Sequence, residues 1–144
     1  MSSRDFLQPR PDGLPKVKIC GITSAEDARA VVAAGADALG INFWPSSKRY
    51  IPMESARAWL PDVGVARVGV FVNATLAEIS AVVESGLIDL AQLHGDETPE
   101  FAQALVDRGV PIIKAVGVKD EASLAVMADF PTGGILLDLS LIHI

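Results

Sequence analysis

"KVKICGITSAEDARAVVAAGADALGINF" runs from Lys16 to Phe43. Two short apolar runs, VKICGI (17–22) and ALGINF (38–43), flank a segment with helical markers. Runs of this length, rich in Val, Ile, Leu or Phe and nearly continuous, fit strands covered on both faces. Between them, Thr23 and Ser24 stand three residues before Glu26 and Asp27, a capping-box pattern. Gly35 then falls just past the helix, where a glycine ends it cleanly. The stretch reads strand, helix, strand.

Working outward, the same unit recurs. Further strands are predicted at VARVGVFV (65–72), LAQLHG (90–95), PIIKAVGV (111–118) and GILLDL (134–139). Helices are predicted at PMESARAWL (52–60), with Pro52 in its first turn, and at ATLAEISAVVESG (74–86), closing on Gly86. Two more are predicted at TPEFAQALVDRG (98–109), opened by Thr98 and Pro99, and at DEASLAVMADF (120–130), opened by Asp120. Strict alternation demands parallel strands joined by right-handed crossovers. Two architectures satisfy it, a doubly wound open sheet and a (βα)₈ barrel. Short connections suit the barrel, but six strands fall short of eight and the chain stops on the sixth. The pattern alone leaves the two level.

With 144 residues, half of them hydrophobic and 21% charged, the chain can form one domain with a sizeable core. Residues 1–15 hold Pro9, Pro11 and Pro15 and few apolar side chains, and read as a flexible N-terminal extension. No apolar run approaches the ~20 residues of a membrane span, and the start lacks the apolar stretch of a secretory signal. One cysteine, Cys20, cannot form an internal disulfide, so the cytoplasm is the expected compartment. A net charge of −6 argues against nonspecific nucleic-acid binding. It leaves room for a small anion, which needs only a few well-placed donors.

The informative residues are polar ones on apolar strands. Side chains alternate along a strand, so Lys18 and Cys20 share a face, as do Gln92 and His94. Lys114 and Asp138 stand on otherwise apolar strands. Burying such groups is costly unless they are partnered. Cys20, His94 and Asp138 fall at or near the C-terminal strand ends, which in a parallel fold open on one side. A thiol and a carboxyl converging there fit a base and an acid. Each also has a plain structural reading. Cys20 fits a small buried hydrophobe, His94 a satisfied core histidine, and Asp138 a loop cap or an ion pair with Lys18. Lys114 fits an amine reaching the rim, and SSKRY (46–50) a solvated loop. Metal-ligand spacing, a P-loop, Gly-x-Ser-x-Gly and Gly-x-Gly-x-x-Gly are all missing, so neither a metal nor a nucleotide cofactor is expected.

Taken in order, KICGIT with EDA, GADALGINFWPSSKRYI, VGVFVN, QLHGDE, KAVGV and ILLD resemble the phosphoribosylanthranilate isomerase family of tryptophan biosynthesis, over residues 16 to 138. The resemblance implies a (βα)₈ TIM-barrel-type fold, present here as an incomplete barrel of six strands in sequential parallel order. It implies the Amadori rearrangement of N-(5-phosphoribosyl)anthranilate to 1-(2-carboxyphenylamino)-1-deoxyribulose 5-phosphate, without cofactor or metal. By motif, the base falls on Cys20, the acid on Asp138 and the grip on the anthranilate carboxylate on Arg49, with His94 lining the pocket. The substrate-binding set is thus expected to be Arg49, His94, Lys18 and Gln92. Lys18 is also a cation beside the thiol, which raises a thiolate fraction that is otherwise a few per cent.

The family continues past LLD into a glycine-rich stretch and two more strands, whose ends hold the phosphate. Residues 139–144, LSLIHI, hold no glycine and read as a tail foreign to the family. The expectation is a C-terminally truncated member, with strand edges exposed, prone to association and without measurable isomerase activity. Two rivals stand beside this reading. One is another phosphosugar-binding βα-barrel enzyme. The other is a noncatalytic flavodoxin-like α/β module, which requires a swapped strand order.

Overall fold

The structure, a computed structural model, describes residues 3–131 and 133–138. Six strands form one sheet: β1 (Lys18–Cys20), β2 (Ala38–Asn42), β3 (Ala66–Phe71), β4 (Leu90–Leu93), β5 (Ile112–Gly117) and β6 (Gly134–Asp138). Every neighbouring pair is parallel, and the spatial order is β1-β2-β3-β4-β5-β6. Strand order thus follows chain order, which excludes the swapped order of a flavodoxin-like sheet.

The crossovers are α2 (Ala25–Ala33), α3 (Met53–Ala56), α4 (Leu76–Glu84), α5 (Pro99–Asp107) and α6 (Glu121–Ala125), with α1 (Ser3–Leu7) preceding β1. Ala28 of α2, Ile79 and Val82 of α4, and Ala102 and Leu105 of α5 join one core cluster with Leu39, Ile41, Phe71, Leu93 and Ile112 of the strands. A fully buried Leu or Ile contributes about 1.5–3 kcal/mol, so this layer carries the sheet. Helices α2, α3, α4 and α5 thus pack on one face. A doubly wound sheet covers both faces, whereas a barrel keeps its helices outside. The alternate strand residues Ala38, Ala66, Val68, Leu90 and Ile113 form a second cluster on the inner face.

Local signals act as the sequence suggests. Ser24 accepts a 3.1 Å bond from the Asp27 amide, and Gly35 takes a left-handed φ of 102° beyond α2. Thr98 caps α5 and Asp120 caps α6. The segment read as one helix over 52–60 differs. Pro52 is the N-cap, α3 ends at Ala56, and a 3₁₀ turn follows at Leu60–Asp62. Pro61 explains the break, since proline lacks an amide donor and disfavours helical backbone before it. Likewise the segment 120–130 divides into α6 and a 3₁₀ turn at Val126–Asp129.

Residues 1–15, read as a flexible extension, include α1. Its Phe6 and Leu7 pack against the inner cluster beside Leu136. Small inner residues such as Ala38 and Ala66 leave apolar surface that this pair covers. Arg10 links the segment to Asp37 at 3.6 Å, and Lys16 Nζ bonds the Asp5 carbonyl. The tail 139–144 lies outside the described residues.

Candidate active site

The C-terminal strand ends open onto a cavity of about 860 Å³, lined by Cys20, Asn42, Trp44, His94, Lys119 and Asp138 among others. Cys20 ends β1 and is exposed as a free thiol. The chain then turns through Gly21, whose φ of +80° suits glycine. A β-carbon there would lie 2.4 Å from Arg49 Cδ, so the Arg49 side chain crosses the Gly21 backbone. Arg49 is held on a loop that folds back on β2: Ile51 N bonds Asn42 O at 3.1 Å, and Arg49 N bonds Ser47 Oγ at 3.1 Å. The guanidinium therefore stands over the turn that follows the thiol, on the lip of the cavity rather than in its wall.

Gly40, the register partner of Cys20, makes room for the sulfur. A β-carbon at Gly40 would sit 2.7 Å from Cys20 Sγ and 3.0 Å from its Cα. Gly40→Ala is therefore expected to lower stability by about 1–3 kcal/mol through overpacking. Urea unfolding checks this, and an unchanged midpoint contradicts it.

Below the cavity, a polar chain crosses the inner face. Lys18 Nζ donates to Gln92 Oε1, Gln92 Nε2 meets His94 Nδ1 at 2.8 Å, and His94 Nε2 meets Asp138 Oδ2 at 2.8 Å. Gln92 is 1% exposed and so lies beneath the floor, while His94 and Asp138 reach the cavity wall. The structure thus brings Cys20, His94 and Asp138 to one opening, sets Lys18 and Gln92 behind them, and hangs Arg49 above. The ion pair weighed between Lys18 and Asp138 is not formed. Two residues stand between them.

Burial pushes the Lys18 amine below its ordinary 10.5, and its nearness to Cys20 offsets part of the fall. The unfolded chain keeps the ordinary value. Between the lowered folded value and 10.5 the unfolded state binds more protons, so the Lys18 contribution to stability climbs with pH there. Unfolding midpoints followed upward from neutral pH are expected to climb more steeply in the parent than in Lys18→Met. Parallel curves contradict this.

Sequence reasoning missed one cluster. Lys114, read as reaching the rim, is buried. Its Nζ donates to Glu97 Oε1 at 3.0 Å and to the Gly95 carbonyl at 2.7 Å, 5.4 Å from the Phe130 ring centroid. Glu97 also accepts from the amides of Asn73 and Gly95, each at 2.8 Å. Asn73 holds a left-handed φ of 52° and accepts from the Asp96 amide at 2.8 Å. One carboxylate thus ties the loops after β3 and β4 to β5. A buried lysine demands a carboxylate, and Asp96 and Glu97 on the neighbouring loop were the signal available. No group of three or more His, Cys, Asp or Glu side chains suited to a metal is found among the described residues.

A one-sided parallel βα sheet with a polar cavity at its C-terminal edge defines a barrel-type enzyme scaffold. The model of the N-(5'phosphoribosyl)anthranilate isomerase family matches residues 17–141. The N-(5'-phosphoribosyl)anthranilate isomerase of Rubrobacter xylanophilus is 44% identical over 127 residues, covering 86% of this chain and 61% of that protein. The crystal structure of the Thermotoga maritima phosphoribosyl anthranilate isomerase superposes with a TM-score of 0.79 at 43% identity, covering 87% of this chain and 62% of that one. A phosphoribosyl anthranilate isomerase in complex with reduced 1-(o-carboxyphenylamino)-1-deoxyribulose 5-phosphate gives 0.79 and 43%, covering 87% and 65%. The chain belongs to the phosphoribosylanthranilate isomerase family. It spans 61% of the length of that Rubrobacter relative.

Proposed function

We propose that this site serves the Amadori rearrangement of N-(5-phosphoribosyl)anthranilate in tryptophan biosynthesis. The observation that carries the reading is that Cys20 and Asp138, from the first and the sixth strand, line one cavity. Support comes also from the relative whose bound ligand is a reduced carboxyphenylamino-deoxyribulose phosphate.

In this reading Asp138 gives a proton to the ribose ring oxygen as the C1–O bond breaks, and the electron pair of the anthranilate nitrogen forms the Schiff base. Cys20, as thiolate, then takes the C2 proton, and the electrons of that C–H bond neutralise the iminium as an enolamine. Tautomerisation gives the ketone. Arg49, at the lip, pairs its planar fork with the anthranilate carboxylate. Lys18 supplies positive charge beside the thiolate. The reaction uses no cofactor, and its partner is the small-molecule substrate. A base that must stay a free thiol suits the reducing cytoplasm.

The test is turnover by a chimera in which residues 17–138 are followed by the remaining part of the Thermotoga maritima relative. Loss of anthranilate-type fluorescence on addition of phosphoribosylanthranilate is expected. No change with that substrate, or equal turnover of an unrelated phosphosugar, contradicts the reading.

A further inference from the structure

The four-residue chain behind the cavity has a direction, and that direction assigns protons. An ammonium only donates, so the Gln92 atom facing Lys18 Nζ is the amide oxygen. The other end of that amide, Nε2, is a donor and faces His94 Nδ1 at 2.8 Å. Nδ1 therefore accepts and carries no proton. The ring proton sits on Nε2, which donates to Asp138 Oδ2 at 2.8 Å. Each assignment forces the next, and Lys18 fixes the first.

We propose that Lys18 and Gln92 are positioning residues that lock His94 as the neutral Nε2–H tautomer, so that it binds the Asp138 carboxylate by a donated hydrogen bond. This rests on the reading of Asp138 as the acid. When the O–H bond of a protonated Asp138 breaks and the ring oxygen takes that proton, the carboxylate left behind is already solvated at Oδ2 by His94 Nε2–H. His94 neither gains nor loses a proton in the step. The opposite tautomer would aim a bare nitrogen at the carboxylate and repel it as charge develops. Burial makes the device stiff: Gln92 is 1% exposed, and Lys18 is partly buried beside it.

The chain holds two histidines, His94 and His143, so ¹⁵N-histidine labelling of the whole protein is readily assigned by comparison with His143→Ala. At neutral pH, the expected spectrum shows His94 Nδ1 as a pyridine-type nitrogen and Nε2 as a pyrrole-type nitrogen bearing hydrogen. Averaged shifts, or hydrogen on Nδ1, overturn the assignment without any substitution. Gln92→Leu and Lys18→Met are each expected to mix the tautomers. Gln92→Glu, which offers Nδ1 an acceptor, is expected to protonate both nitrogens. A single Nε2–H tautomer retained in folded Gln92→Leu or Lys18→Met shows that Asp138 alone sets it, and overturns the role of these two residues.

In the chimera, Gln92→Leu is expected to lower kcat by roughly 10–100-fold, the scale of loss when outer partners of metal-bound histidines are removed. KM should change far less. An unchanged kcat beside a mixed tautomer overturns the catalytic half of the proposal. A parent chimera without turnover defeats the proposed function instead, and leaves the tautomer result to be judged on its own.

Discussion

Glu97→Ala is expected to lower the unfolding free energy by about 3–5 kcal/mol, the cost of removing one partner from a buried ion pair. The side chains of Glu97 and Lys114 are 2% and 6% exposed. Removing Glu97 strands the Lys114 ammonium with the Gly95 carbonyl alone, and strips the Asn73 and Gly95 amides of their acceptor. Each orphaned donor costs about 1–3 kcal/mol when water cannot replace the partner. Lys114→Met is expected to cost less, because Glu97 then keeps both amide donors. This asymmetry separates a loop-tying carboxylate from a plain ion pair, in which the two deletions would cost alike. Domain stabilities are about 5–15 kcal/mol in total, so the Glu97 variant stands near unfolding. Urea titration of both variants reads the difference, and a larger loss in Lys114→Met contradicts it. The same change should slacken the loops holding Asn73 and Gly95, which border the cavity beside His94.

Cys20→Ser and Asp138→Asn are expected to reduce the kcat of the chimera by roughly 10²–10⁴-fold each, the usual worth of a general base or acid. A serine hydroxyl in place of Cys20 has no thiolate to offer near neutral pH, and Lys18 beside it cannot change that. Asparagine in place of Asp138 keeps the shape and still accepts from His94 Nε2, but has no acidic proton to give. KM should move little, because in the proposed reaction both groups act in the transition state more than in binding. Arg49→Lys should show the reverse emphasis, raising KM, since an ammonium cannot match a planar carboxylate at two points. Parent-like turnover by Cys20→Ser contradicts the assignment of the base.

Much of this was legible in the residues. Apolar runs gave the six strands because parallel strands are covered on both faces, and Ser24, Thr98 and Asp120 marked helix starts by side-chain chemistry that acts locally. The choice between barrel and doubly wound sheet was not legible from periodicity, since both alternate strand and helix. It depends on which side of the sheet each crossover takes, a tertiary property. Resemblance to the family resolved it, and the side taken by Ala28, Ile79 and Leu105 agrees.

The site was legible in parts. Alternation through residues 90–95 put Gln92 and His94 on one face, but gave no means to see that Gln92 would stand between Lys18 and the histidine. His94 turned out to combine two readings held apart: its ring is satisfied within a network, and one edge still borders the cavity. Lys114 falls on the other face of β5, and its partner comes from a loop whose path strand periodicity does not describe.

The most direct measurement is a crystal structure of the chimera with a non-isomerising analogue of the product. The account expects Cys20 Sγ and the Asp138 carboxyl on opposite sides of the sugar's C1–C2 bond, each within reach of it, and the Arg49 guanidinium against the anthranilate carboxylate. A ligand bound with the sulfur turned away from that bond, or with Arg49 apart from the carboxylate, would contradict it.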